Sequence, residues 1–163
     1  MVNAADAEVV LTFQCKALDG LKASKKLADL PVQKPTAESL HARARELADG
    51  CKDETGALRI YEQAIKLYPD NPSLLNGMAW LLVTAKDEKV RGITRAVALA
   101  RKAAKLTDEK DGYILGTLAK ALHDSGQLED AARYAKLAAE KTPGNKDIAD
   151  RAKEYAKEVE KKE

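Results

Sequence analysis

The sequence predicts an all-α chain, an α-solenoid of stacked antiparallel helix pairs. Three observations carry this. Apolar residues recur at spacings of three and four, these groups come in pairs, and the same pair occurs three times in series with alanines at its centre. Spacings of three and four place side chains on one stripe of a helix. Two stripes with a short connection make a helical hairpin, which is too thin to bury its apolar side alone; stacking several buries a continuous core. Alanines at the contacts let helix axes approach to the short end of the usual ~8–10 Å separation. Composition agrees: only 9 glycines and 5 prolines in 163 residues, with aromatics at 4%, leave little material for a turn-rich β protein.

Residues 1–30 form an N-terminal helical segment. Val9, Val10, Phe13, Ala17, Leu18 and Leu21 keep helical spacing, and Leu27 and Leu30 extend it. A break near residues 19–20 divides it into one interrupted helix or two short ones. The alternative is a strand over residues 9–13. Residues 31–36 are a linker bracketed by Pro31 and Pro35, and Thr36 is placed to cap a helix that begins at Ala37. The first repeat spans residues 37–71, with Leu40, Ala44 and Leu47 followed by Ala57, Tyr61, Ala64 and Leu67. The second spans 72–108, with Leu75, Ala79 and Leu82 followed by Ala96, Ala100, Ala103 and Leu106. The third spans 112–145, with Leu115, Leu118, Ala119 and Leu122 followed by Gly126, Ala131, Ala135 and Ala138. Residues 146–163 follow as a capping helix, with Ile148, Ala152, Tyr155, Ala156 and Val159 on one stripe and Lys and Glu elsewhere.

These three segments resemble the tetratricopeptide repeat (TPR) family. The third fits the 34-residue pattern without a gap. The first needs one extra residue near 52–55, and the second about five within 85–93. The bulky aromatic of the second helix is kept as Tyr61 but is Ala100 and Ala135 in the later repeats. The resemblance covers roughly residues 37–145 and implies a right-handed superhelix whose concave side is lined by the first helix of each repeat.

It also implies which residues face that groove. Carried over, the positions give Glu38, His41, Arg45 and Asp49 in the first repeat. The second gives Ser73, Asn76, Gly77, Trp80 and Thr84, and the third Tyr113, Gly116, Thr117, Lys120, His123 and Asp124. The candidate peptide-binding set is His41, Arg45, Asn76, Trp80, Tyr113, Thr117, Lys120 and His123. An asparagine amide can both donate to and accept from a peptide backbone, and Arg or Lys can hold a carboxylate. Trp80 either packs against the neighbouring pair or offers a flat platform. Gly77 and Gly116 reflect either close helix approach or room for a ligand backbone. The two-carboxylate clamp that some family members use for chaperone C-termini is not expected. Its places are taken by His41 and Arg45, then Gly77, then Tyr113 and Thr117, which keeps one strong cation.

Charge and motifs narrow the function further. Twenty-eight Lys+Arg against 26 Asp+Glu give a net charge of +2 with both signs interspersed, so neither nucleic-acid nor membrane-surface binding is indicated. No apolar run approaches the roughly 20 residues of a membrane span, and residues 1–13 do not read as a secretory signal. Cys15 and Cys51 form no CxxC pair and read as free thiols in a reducing, cytoplasmic setting. His41 and His123 are isolated, and no HExxH, nucleophile elbow or phosphate loop is present, so no enzyme, metal or cofactor is expected. The charged insert of the second repeat, residues 86–92, is a long turn or a partner contact. The expected function is a non-catalytic scaffold that binds a peptide or protein segment in the groove. The alternatives are a self-association module, giving a homo-oligomer, or an accessory domain of a larger protein.

Overall fold

The structure, a computed structural model, describes residues 35–161. The expectations for residues 1–30 lie outside them. The described residues form seven α-helices and no strand. They are α1 (Ala37–Arg45), α2 (Glu54–Leu67), α3 (Pro72–Thr84), α4 (Ile93–Leu106), α5 (Gly112–Asp124), α6 (Leu128–Lys141) and α7 (Lys146–Glu160). Each helix packs on the next in sequence, and α3 also packs on α1 and on α5. The first helices of successive pairs thus lie side by side.

Local chemistry starts these helices where the sequence puts them. The Thr36 hydroxyl accepts from the Ser39 amide, Asp53 from Gly56, Asn71 from Leu74, Asp111 from Tyr113 and Ile114, and Asn145 from Ile148. Each side chain satisfies an amide that the first helical turn leaves without a partner. Pro72 fits the first turn of α3, where its missing N–H costs nothing. The turn after α5 reverses at Gly126, whose φ of 81° suits glycine.

The core is the alanine–leucine stripe predicted. Ala44, Ala57, Ala64, Ala79, Ala96, Ala103, Ala119, Ala131 and Ala138 are fully buried, with Leu40, Leu75, Leu82, Leu115, Leu118 and Leu122 around them. Ala100 and Ala135 are buried too, in the place where the first repeat uses Tyr61. In the third pair, neighbouring Tyr134 is buried and its hydroxyl donates to Glu109 Oε1 at 3.1 Å.

Both extra-length regions have a definite conformation. The added residue of the first repeat is absorbed just upstream of the expected place, as a π-helical turn over Glu46–Gly50 that continues α1. The Cys51 amide reaches back to the Glu46 carbonyl at 3.1 Å, and Lys52 takes a positive φ of 57° to leave the helix. The longer insert, residues 85–92, turns inward. Ala85 and Val90 are buried, and the Gly92 amide donates to the Leu82 carbonyl at 3.1 Å. The Glu54 carboxylate at the start of α2 accepts from the Lys86 amide at 3.0 Å and the Asp87 amide at 2.9 Å, which ties the insert to the first repeat.

One expectation is corrected. Cys51 is disulfide-bonded, and no described cysteine is a free thiol. Distance along the chain was the ground for reading free thiols, and it carries no information about proximity in the fold. No described helix is long and apolar enough to cross a membrane.

Candidate functional site

A trough of about 910 Å³ runs across the side formed by α1, α3, α5 and the start of α7. Six of the eight candidate residues line it: His41, Arg45, Asn76, Trp80, Tyr113 and Thr117. They come together because each sits on the first helix of its pair, on the side turned away from the second helix.

The aromatic residues stand clear of the core. Trp80 is 42% exposed and Tyr113 63% exposed, so each ring keeps part of its surface open to solvent. The Arg151 guanidinium lies 5.9 Å from the centre of the Trp80 ring. At the other end of the trough, the Tyr61 hydroxyl lies 3.4 Å from His41 Nδ1. Burial raises the Tyr61 phenol well above its usual value, so it stays protonated. Burial, and next the Arg45 charge, hold the His41 imidazole below its ordinary 6.5. The floor is therefore neutral near pH 7. Along the walls, Arg45, Lys52, Lys86 and Arg151 alternate with Asp49, Glu54, Asp87 and Asp147. Arg45 is exposed and only loosely paired with Asp49, at 3.9 Å.

Asn76 differs from its neighbours. Its Oδ1 is buried and accepts no hydrogen bond among the described residues. Thr117, by contrast, is satisfied within its own helix, since its hydroxyl donates to the Tyr113 carbonyl at 3.2 Å.

Lys120 and His123 do not line the trough, and His123 lies against α7. Lys120 Nζ pairs with Asp124 at 3.0 Å. His123 stacks on Tyr155 with ring centres 4.1 Å apart, and its Nε2 lies 2.8 Å from Glu158 Oε2. The helix after the third repeat meets the end of α5 at His123. The carried-over positions suit an α5 that faces open groove along its whole length, and α7 removes that condition. Conversely, Glu54, Asp147, Ile148 and Arg151 line the trough although sequence reasoning did not select them. The positional pattern extended one helix further, counted from Lys146, selects Asp147 and Arg151 at its second and sixth places.

The two glycines have different reasons. A Cβ on Gly77 would sit 2.5 Å from the Tyr61 hydroxyl and 2.6 Å from the His41 ring. A side chain there would force the Tyr61 and His41 rings to move. A Cβ on Gly116 would meet only Ile148, at 3.6 Å, which is ordinary contact. Gly77→Ala is expected to destabilise by about 1–3 kcal/mol through overpacking. Gly116→Ala is expected to be neutral or to stabilise by up to about 1 kcal/mol through helix propensity. Urea unfolding of both variants checks this, and equal signs would contradict it.

His41 gives a pH dependence. Its proton is taken up more readily by the unfolded chain, so stability falls as pH drops from 6.5 toward the lowered folded value and levels off below it. His41→Gln is expected to flatten that part of the stability curve, measured by urea unfolding between pH 7 and 5.

No protein-family model and no curated protein matches this sequence. Solved structures do match in shape. The first TPR of Spaghetti (RPAP3) bound to the HSP90 peptide SRMEEVD superposes with a TM-score of 0.65 at 16% identity. The match covers 76% of this chain and 94% of that one. The first TPR domain of human RPAP3 gives 0.66 at 17% identity, over 77% and 94%. The fold is TPR-like. At this level of identity the likeness concerns fold alone.

Proposed function

We propose that this TPR-like array is a non-catalytic interaction module that holds an extended peptide or protein segment in the trough. Asn76 carries the reading. A buried acceptor left without a donor costs roughly 1–3 kcal/mol, and rotation of the Asn76 amide toward the trough lets a peptide N–H supply the donor. Trp80 and Tyr113 flank the place as flat, half-solvated surfaces for side chains of the segment. Arg45 and Thr117 belong to the proposed contact set with His41, while His123 acts on it through the seating of α7 and Lys120, paired with Asp124, stands outside it.

RPAP3 holds an HSP90 peptide, and that ligand is not transferred here. At the clamp positions Gly77 has no side chain, Thr117 donates within its own helix, and Arg45 is the one strong cation. The cytoplasmic expectation rested on reduced thiols, and the disulfide at Cys51 takes that support away.

Trp80 is the only tryptophan and so reports directly. Titration with a pool of random-sequence octapeptides is expected to change its emission saturably, with amide shift changes on α1, α3 and α5. Unchanged emission, or shifts confined to α2, α4 and α6, would sink the reading.

A further inference from the structure

We propose that the trough contains an anion subsite, in which Arg151 receives a carboxylate of the bound peptide beside the Trp80 ring. This rests on the peptide-groove reading and adds the chemistry of one position.

The site is assembled from three helices. Arg151 sits in the second turn of α7, the helix after the last repeat, and Trp80 near the end of α3, yet they approach to 5.9 Å across the trough. Between those helices α5 presents Gly116 to the trough, so no side chain rises at that point. Arg151 is partly buried and makes no ion pair of 4.0 Å or less among the described residues. Its closest counter-charge in sequence on the trough wall is Asp147, one turn earlier, and the two are not paired. Of the other trough cations, Arg45 faces Asp49 and Lys52 Nζ donates to the Asp49 carbonyl. Among the described residues Lys86 makes no ion pair of 4.0 Å or less either, but only Arg151 lies over the Trp80 ring.

A guanidinium has five N–H donors in a plane. At 5.9 Å from the Trp80 ring centre, the far end of cation–π range, the ring satisfies none of them as hydrogen bonds. A carboxylate accepts two of these donors side by side. The methylenes that carry an acidic side chain, or the last residue of a chain, then lie on the exposed ring of Trp80. The source of the carboxylate is therefore an Asp or Glu side chain or a free C-terminus, with the same chemistry at Arg151.

The test uses the full chain and a positional-scanning library of acetylated octapeptides, made both as free acids and as C-terminal amides, with affinity read by fluorescence anisotropy. Wild type is expected to prefer an acidic residue at one position in the amide series, or the free acids over the amides. Either result supports the carboxylate subsite and identifies its source. Arg151→Gln is expected to abolish that preference, with about a tenfold loss for the acid-bearing peptides and none for their Gln or amide counterparts. Arg151→Lys, which keeps the charge but not the fork, restores part of it. Asp147→Asn, which removes the competing carboxylate, strengthens it. Peptides that bind equally to wild type and Arg151→Gln would overturn the subsite while leaving the peptide groove standing. An absence of any peptide binding would overturn both.

Discussion

A chain ending at Asn145 is expected to melt roughly 10–20 °C below the full chain and to aggregate as it does so. The removed helix, α7, carries the buried Ile148 and Tyr155. Each such side chain contributes about 1.5–3 kcal/mol when taken out of water. Their loss, with the exposure of the surfaces they cover on α5 and α6, approaches the whole stability of an ordinary domain. Solenoid ends need a helix with one apolar and one polar side for this reason. Tyr155→Ala is the milder version. Tyr155 is stacked on His123, and burial pushes its phenol up to about 12, so it stays neutral across the useful pH range. Its truncation is expected to cost about 3–5 kcal/mol. Scanning calorimetry of the three proteins checks both expectations. A truncated chain with an unchanged melting temperature would show that the last repeat is stable without its cover.

Asn76→Leu is expected to move stability and binding in opposite directions. Replacing the amide with an apolar group of similar size removes an acceptor that has no donor, so the free protein gains roughly 1–3 kcal/mol. The same change removes the only buried, unpartnered side-chain acceptor found among the described residues, and peptide affinity falls about tenfold or more. Urea unfolding gives the first quantity and fluorescence anisotropy the second. A residue kept for packing loses stability when replaced, whereas a residue kept for a ligand gains it. A destabilised Asn76→Leu protein with intact binding would therefore return Asn76 to the scaffold.

The helices were legible because their signal is local and repeated. The stripes through Ala44, Ala79 and Ala119, the cap at Thr36 and the two regions of extra length all follow from spacing and from side chains close in sequence. The π turn was not legible, since an added residue has the same sequence signature whether it widens a helix or lengthens a loop. The inward turn of residues 85–92 depends on Glu54, some thirty residues away, and nothing near Glu54 advertises that role. The trough was legible as far as the repeat pattern was followed. Arg151 lay one helix beyond its last application, and the same helix engages His123. Ala156 belongs to the apolar stripe of α7 by spacing and is exposed among the described residues.

The clip between Glu54 and the insert joins the start of α2 to the end of α3 through two amide hydrogen bonds. Neighbouring hairpins in a solenoid can otherwise fray one at a time, each with its own opening equilibrium. A carboxylate that spans the seam adds a link that must break before the first two hairpins separate at this point. The wall of the trough near Lys86 and Asp87 is thereby anchored to the first repeat.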